Sequence, residues 1–391
     1  MPEQLLFVAL AGHGHLNPLL PLVAELSERG HRVDFATAPE HAADVTAAGA
    51  DWVELPPMEP FIPSPDMGPD IVVGWLRHYF AAMCATYPVL RERCRTHRPD
   101  AICYDTTNWP ARTVAREFGV PAVRCFPHLA TNDTFSLDDR VTAGLGPDNP
   151  GMAELAADCA EFAERYGVQL TVADTMDSAS ERQNLVFVPR EFQPGGGSFD
   201  DRFHFVGPST GRREQAEPWL PDDPELPLVY VSLGSVATGG ADFYRTCVDA
   251  FADGSRQLAM TIGDTDPKEL GTLPPHVEVR ARFPQPSVLR HAAAFVTHAG
   301  MGSTMEALTH GVGMLAVPGT PEQAANAERV RELGLGTVAD AGALTADSLR
   351  AAVEELMSDE ATRQRLADMR KAIERAGGAA RAADVVEGCV R

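Results

Sequence analysis

The residues best placed to do chemistry lie in one segment, FVTHAGMGSTMEAL at 295–308, where a buried apolar run breaks into a glycine turn and then a helical pattern. A strand ending near Thr297 followed by a helix from about Gly302 offers backbone N–H groups and the positive end of a helix dipole to an anion. Gly300 and Gly302 permit close backbone approach, Ser303 adds a hydroxyl and His298 an imidazole donor. Such a set suits a diphosphate. A plain strand-to-helix turn would also use those glycines, so the segment needs its neighbours. Glu306, about two helical turns beyond His298, is a carboxylate able to accept two ribose hydroxyls. In LAVPGTPEQ (315–323), Glu322 and Gln323 follow the next strand and pair an acid with an amide, a combination that serves several hydroxyls at once. Upstream, RFPQPSVL (282–289) sets Gln285 in a loop within reach of a base or ribose.

A second constellation lies near the N-terminus. After the apolar run QLLFVAL comes Gly12-His13-Gly14-His15-Leu16-Asn17-Pro18. A histidine in a turn after a buried strand can act as a general base near neutral pH. His13 reads as a satisfied turn histidine. Asp105 closes the strand AICYD, where it either orients a histidine or caps the helix after Thr106.

These residues must be positioned by the elements around them. The first half alternates strands (4–10, 32–37, 51–55, 101–105, 121–126, 184–189, 203–207) with helices near 18–30, 70–97, 109–118 and 152–166. The stretch 207–227, with its prolines and mixed charges, reads as a linker. A second alternation follows, with strands at 228–234, 257–263, 277–281, 293–300 and 313–318 and helices near 242–253, from 302, and at 321–334, 345–357 and 360–376. The chain is therefore expected to be α/β, with two doubly wound Rossmann-like domains facing a cleft. The expected division is 1–207, a linker at 208–226, 227–376, and a helical tail at 377–391 that packs back on the first domain.

A net charge of −22 with no basic stripe argues against a nucleic-acid partner. No basic leader and no apolar run of about 20 residues is visible, so neither export nor a membrane partner is expected. Seven cysteines show no metal-like spacing, and Cys84, Cys94, Cys103 and Cys125 sit in apolar or helical runs, which fits free thiols and the cytoplasm. The D-x-D at Asp264–Asp266 lies in a proline-rich loop beside Lys268 and reads as a solvated turn, so no metal is expected. Gly12-x-Gly14 imitates a dinucleotide fingerprint, but Asn17 replaces the third glycine and no acid ends the second strand, FATAPEH, which makes an oxidoreductase a poor reading.

The combined spacing R-F-P-Q-x-x-x-L, H-A-G-x-x-S-x-x-E and P-x-x-x-E-Q resembles the donor signature of family 1 glycosyltransferases of the GT-B fold, and within them the microbial macrolide and natural-product enzymes. The resemblance extends to GHGHLNP and to VSLGS at 231–235, so it covers essentially the whole chain. It implies a nucleotide diphosphate sugar as co-substrate, without another cofactor, and an apolar hydroxylated acceptor such as a macrolide, another polyketide or a flavonoid. It implies that His298, residues 300–303 and Ser235 bind the diphosphate, that Glu306 binds ribose, and that Glu322 and Gln323 bind sugar hydroxyls. Gln323 after an acid is the pattern that the family often pairs with UDP-glucose, with TDP-sugars next. The implied base is His15, with Asp105, which stands in the family's D-x-x-x-W context before Trp109, as its partner. Arg282 departs from the pattern: the family often has a tryptophan there, stacked on the base, and a guanidinium can also stack. Segments 56–83 and 127–166, rich in Pro, Met and aromatics, either line the acceptor pocket, which would then suit a large apolar hydroxylated molecule, or are simply core and surface helix. A protein that merely sequesters a nucleotide sugar or drug would have no use for the His15–Asp105 pair.

Overall fold

The structure is a computed structural model that describes residues 2–10, 12–59, 61, 71–142, 145, 149–176, 181–209, 218–234 and 240–390. The chain divides into two compact units, Met1–Ser209 with Ala376–Arg391, and Thr210–Arg375.

The first unit is built on seven strands: β1 (Gln4–Val8), β2 (Arg32–Thr37), β3 (Asp51–Glu54), β4 (Ala101–Asp105), β5 (Ala122–Phe126), β6 (Gln183–Val186) and β7 (Phe203–Phe205). They pair in parallel in the order β3-β2-β1-β4-β5-β6-β7. Because both faces of such a sheet are covered, its strands are apolar throughout, as QLLFV and AICYD show. One face packs Leu5, Phe7 and Phe35 against Leu22, Val23 and Leu26 of the helix Leu20–Glu28, and the other packs Leu6, Val8 and Ile102 against Tyr87, Leu90 and Val114. The final helix, Gly378–Cys389, belongs to this unit. Its Ala382, Ala383 and Val386 are buried in the first of these faces, and Arg29 and His31 pair with Asp384 and Glu387 on it. Full burial of a side chain such as Val386 contributes about 1.5–3 kcal/mol.

The second unit holds β8 (Leu228–Ser232), β9 (Gln257–Thr261), β10 (Val277–Arg280), β11 (Ala292–Thr297), β12 (Gly313–Ala316) and β13 (Gly336–Val338), all parallel, in the order β10-β9-β8-β11-β12-β13. The edge strand β13 is absent from the expected set, because its three residues follow directly on a helical run and show no apolar run of their own.

Each sheet reverses its winding once, between β1 and β4 in the first unit and between β8 and β11 in the second. Ligands of doubly wound sheets bind outside the carboxyl ends of the strands at this reversal. Val8 lies beside Tyr104 and Ser232 beside Thr297 in the register, so the segments leaving those strands flank each crevice.

Two local expectations change. The stretch from Gly12 to Asn17 is not a simple turn but contains a short helix, His13–Leu16, with Gly12 C=O accepting from the N–H groups of His15 and Leu16. Gln285 is not in a loop: it opens the helix Gln285–Leu289, where Pro286 is tolerated in the first turn because its missing N–H would have no partner there.

Among the described residues no helix is long and apolar enough to cross a membrane. Cys94, Cys103 and Cys125 are buried free thiols, and Cys84 is a half-buried one whose pKa burial pushes up to about 12.

Candidate active site

At the first crevice, β4 ends in Asp105 and the short helix after β1 carries His15. The two meet: His15 Nδ1 lies 2.8 Å from Asp105 Oδ2, with His15 27% exposed and Asp105 only 1%. An Nδ1–H donated to the carboxylate leaves Nε2 with its lone pair, the tautomer a general base requires. The other carboxylate oxygen is held from behind. Asp105 Oδ1 accepts from Thr107 N–H at 3.0 Å and from the Thr107 hydroxyl, and that hydroxyl is 2.6 Å from the buried Tyr79 OH. Burial alone would raise the Asp105 carboxyl, but the facing His15 and the hydrogen bonds from His15 and Thr107 overcome it and hold the pKa below the usual carboxylate range. Asp105 therefore stays ionised. It does not cap the following helix, whose N-cap residue is Asn108, without a side-chain cap.

Thr107 and Tyr79 are absent from the residues singled out in the sequence. Thr107 had a signal, since a hydroxyl two residues after an aspartate is a common local hydrogen-bond partner; Tyr79, 28 residues away, had none. Tyr79 stacks on Trp75, ring centroids 5.2 Å apart, and Trp75 is 42% exposed. Of the aromatic and methionine residues in 56–83, Tyr79, Phe80 and Met83 are core. Residues 60 and 62–70 of that segment, and 143–144 and 146–148 of the segment 127–166, lie outside the described residues. His128, just past β5, stands edge-on to His15 at 6.1 Å, with its Nδ1 2.9 Å from Leu129 C=O.

At the second crevice, β11 leads into His298, Ala299 and the helix Met301–His310. Gly300 is the N-cap residue and no side chain caps the helix, so its first N–H groups have neither an intrahelical partner nor a side-chain one. Among the described residues Ala299 is the one non-glycine with positive φ, 60°. That conformation costs about 1–2 kcal/mol for an L-residue. Asn326 Nδ2, donating to Ala299 C=O at 3.1 Å, and Thr297 Oγ1, accepting Ala299 N–H at 3.3 Å, hold it in place.

His298 is wedged between two glycines. A Cβ on Gly300 would collide with its Nε2, and a Cβ on Gly234, where φ is +84°, would sit 2.8 Å from its ring. The part of Gly300 is thus to admit this ring, whereas Gly302 has open space where a Cβ would be. Gly234 is a site residue that sequence reasoning left unnamed, although it sits in the quoted VSLGS. Burial lowers the His298 pKa, against opposing pulls from the Glu322 charge and the Ser232 main chain, which leaves a neutral imidazole at neutral pH. Ser235 lies outside the described residues.

The remaining residues fall into two groups. Gln285 Nε2 is 2.7 Å from Glu306 Oε2 and 3.0 Å from Ser303 Oγ, so Gln285, Ser303 and Glu306 form one polar cluster on the helix Met301–His310. Glu306 therefore shares its helix face with Ser303. Arg282 is exposed between β10 and Gln285, and it and Glu306 both act electrostatically on the buried Tyr230. Glu322 and Gln323 open the helix Pro321–Glu332 after β12. Gln323 Oε1 accepts from Gly319 N–H at 2.8 Å, which leaves the amide NH2 as its donor. Asp266 caps a short turn by accepting from Lys268 N–H at 3.0 Å.

The first unit thus holds the paired His15 and Asp105, and the second holds His298, the uncapped helix start at Met301 and the Gln285–Ser303–Glu306 cluster. Together with the doubly wound sheets they define a group-transfer enzyme of the GT-B class. Comparison with known proteins agrees. Residues 245–390 match the family described as Erythromycin biosynthesis protein CIII-like, C-terminal domain. The NDP-glycosyltransferase YjiC of Bacillus subtilis (strain 168) is 33% identical over 97% of this chain and 95% of its own. The demethyllactenocin mycarosyltransferase of Streptomyces fradiae is 35% identical over 98% of this chain and 85% of its own. Among solved structures, the glycotransferase of kitacinnamycin superposes with a TM-score of 0.90 at 35% identity, covering 100% of this chain and 99% of that one. The chain belongs to the family 1 natural-product glycosyltransferases, and it is a glycosyltransferase.

Proposed function

We propose that the protein transfers a hexose, with inversion, from a nucleotide diphosphate sugar to a hydroxyl of an apolar small molecule such as a macrolide, another polyketide or a flavonoid. The observation that carries this reading is the 2.8 Å contact from His15 Nδ1 to the buried Asp105 carboxylate. In the step, the acceptor O–H gives its proton to His15 Nε2 while its oxygen bonds to the anomeric carbon. The bond from that carbon to the diphosphate oxygen breaks, and the nucleoside diphosphate leaves with the electron pair. Asp105 stabilises the imidazolium as it forms.

The uncapped helix at Met301 and the neutral His298 donor take the diphosphate, with Gly300, Gly302, Ser303 and Ser235 around it, and offset its charge without an assigned metal. Glu306 with Gln285 takes the ribose, Arg282 the base, and Glu322 with Gln323 the sugar. UDP-glucose is the first donor to test and TDP-sugars the second. An apolar acceptor is supported by Trp75, an exposed ring linked through Tyr79 and Thr107 to Asp105, and by relatives named for macrolide substrates, the mycarosyltransferase above and the oleandomycin glycosyltransferase of Streptomyces antibioticus. A cytoplasmic location accords with the free thiols.

The test is a matrix of UDP- and TDP-sugars against macrolides, flavonoids, free sugars and hydroxylated peptides, read by mass spectrometry of the product and by nucleoside diphosphate release. The expected result is a hexosylated macrolide or flavonoid. Transfer to sugars or peptides alone would overturn the acceptor assignment.

A further inference from the structure

His13, His41 and Asp44 have no part in the transfer chemistry described above, yet they converge. Each offers one ligand-type atom, and these atoms all lie within 4.8 Å of one another. His13 opens the helix His13–Leu16, His41 closes the short turn Pro39–His41 beyond β2, and Asp44 stands in the first turn of the helix Ala42–Ala47. The two imidazoles meet edge to face with centroids 4.9 Å apart. His41 is only 4% exposed, and its Nδ1 is buried without a hydrogen-bond partner. A buried polar atom left unpaired is uncommon and costly, and a missing ion is one of the few things that explain it.

We propose that His13, His41 and Asp44 bind a divalent cation of the zinc, cobalt or nickel kind. Two imidazole nitrogens and one carboxylate oxygen suit these borderline cations, whereas magnesium and calcium favour oxygen alone. The site is empty. Ligands about 2.0–2.1 Å from a tetrahedral ion stand about 3.3 Å apart, so loading draws the three inward. His13 and Asp44 lie toward solvent, while the buried His41 provides the fixed point. Three protein ligands leave a fourth position for water. The occupied site ties the helix that carries His15 to the end of β2. No step of the transfer passes through the ion, so the inference stands or falls apart from the proposed reaction.

The experiment is calorimetric titration of the full chain, stripped with a chelator, with zinc chloride, together with visible spectra of the cobalt-loaded protein. The expected result is one ion per chain at a dissociation constant on the order of micromolar, nitrogen-ligated cobalt bands, and a Tm that rises with zinc and falls back with chelator. His13→Ala and Asp44→Ala alter only solvent-reaching side chains, and each should weaken binding by about tenfold or more. His41→Phe should abolish it, and the two surface variants keep the test decisive if the buried one does not fold. Zinc affinity and stoichiometry unchanged in both His13→Ala and Asp44→Ala would overturn the proposal, as would wild-type binding no tighter than about 100 μM.

Discussion

Replacing Asp105 by Asn changes one atom of a buried group and should remove most of the activity. Thr107 N–H and the Thr107 hydroxyl both donate to Oδ1, so that position must remain an oxygen. The new NH2 then takes the place of Oδ2, 2.8 Å from His15 Nδ1. An amide NH2 can only donate, so Nδ1 has to accept and the ring proton moves to Nε2, the atom that must take the acceptor's proton. Turning the amide over instead sets its NH2 against the Thr107 donors, at a cost of about 1–3 kcal/mol for an unmet buried group. The imidazolium formed in the transition state also loses its counter-charge. A unit charge pair 2.8 Å apart is worth about 6 kcal/mol at an effective dielectric near 20, and charge delocalisation together with the partial exposure of His15 brings the expected loss to about 4 kcal/mol. That corresponds to about a thousandfold in kcat. The assay is nucleoside diphosphate release at saturating donor and acceptor, with circular dichroism to confirm folding. The KM for the donor should stay within about threefold, because binding the sugar nucleotide does not use this pair. A folded Asp105→Asn enzyme that keeps more than about a tenth of wild-type kcat would refute the reasoning.

Further outcomes follow from the same geometry. Thr107→Val removes a hydroxyl hydrogen bond to the ionised Asp105 and should lower kcat by about tenfold, with Thr107→Ser restoring most of it in the same assay. Gly234→Ala forces a Cβ to 2.8 Å from the His298 ring at a backbone φ of +84°, and should raise the dissociation constant of UDP or TDP, measured by calorimetry, by about tenfold or more. The lowered pKa of buried His298 means that the unfolded chain takes up its proton near pH 6.5 while the folded chain resists until lower pH. Protonation in that window favours unfolding, so this part of the stability is present above pH 6.5 and is lost as pH falls toward the folded value. Urea unfolding at pH 7.5 and 5.5 should therefore show a smaller pH difference for His298→Asn than for the wild type; an equal difference would contradict the assignment.

Much of the architecture is legible in the sequence because parallel strands covered on both faces must be apolar throughout, and LLFV, AICY and LVYV announce themselves in that way. The doubly wound order follows from strand–helix alternation. β13 escapes because Gly336–Val338 is too short to carry a pattern. The helix at His13–Leu16 escapes because two histidines around a glycine show no helical period and little propensity. Gln285 looks like a loop residue because prolines flank it, although Pro286 is harmless in a helix's first turn. At the site, His15, Asp105 and the cradle residues are visible as types at spacings, but their supports are not. Nothing in the sequence marks Ala299 as left-handed or sets Tyr79 behind Thr107. Gly300 illustrates the limit: its glycine reads as room for a ligand, and in the fold that room holds the ring of His298.

The proposed reaction makes His15 the base and sets the donor cradle elsewhere in the chain. Its most direct test is His15→Ala, with sugar transfer and nucleoside diphosphate affinity measured on the same preparation. The expected result is a loss of about 10²–10⁴ in kcat with an unchanged dissociation constant for UDP or TDP. Turnover within about tenfold of the wild type, or a parallel loss of nucleotide binding, would contradict it.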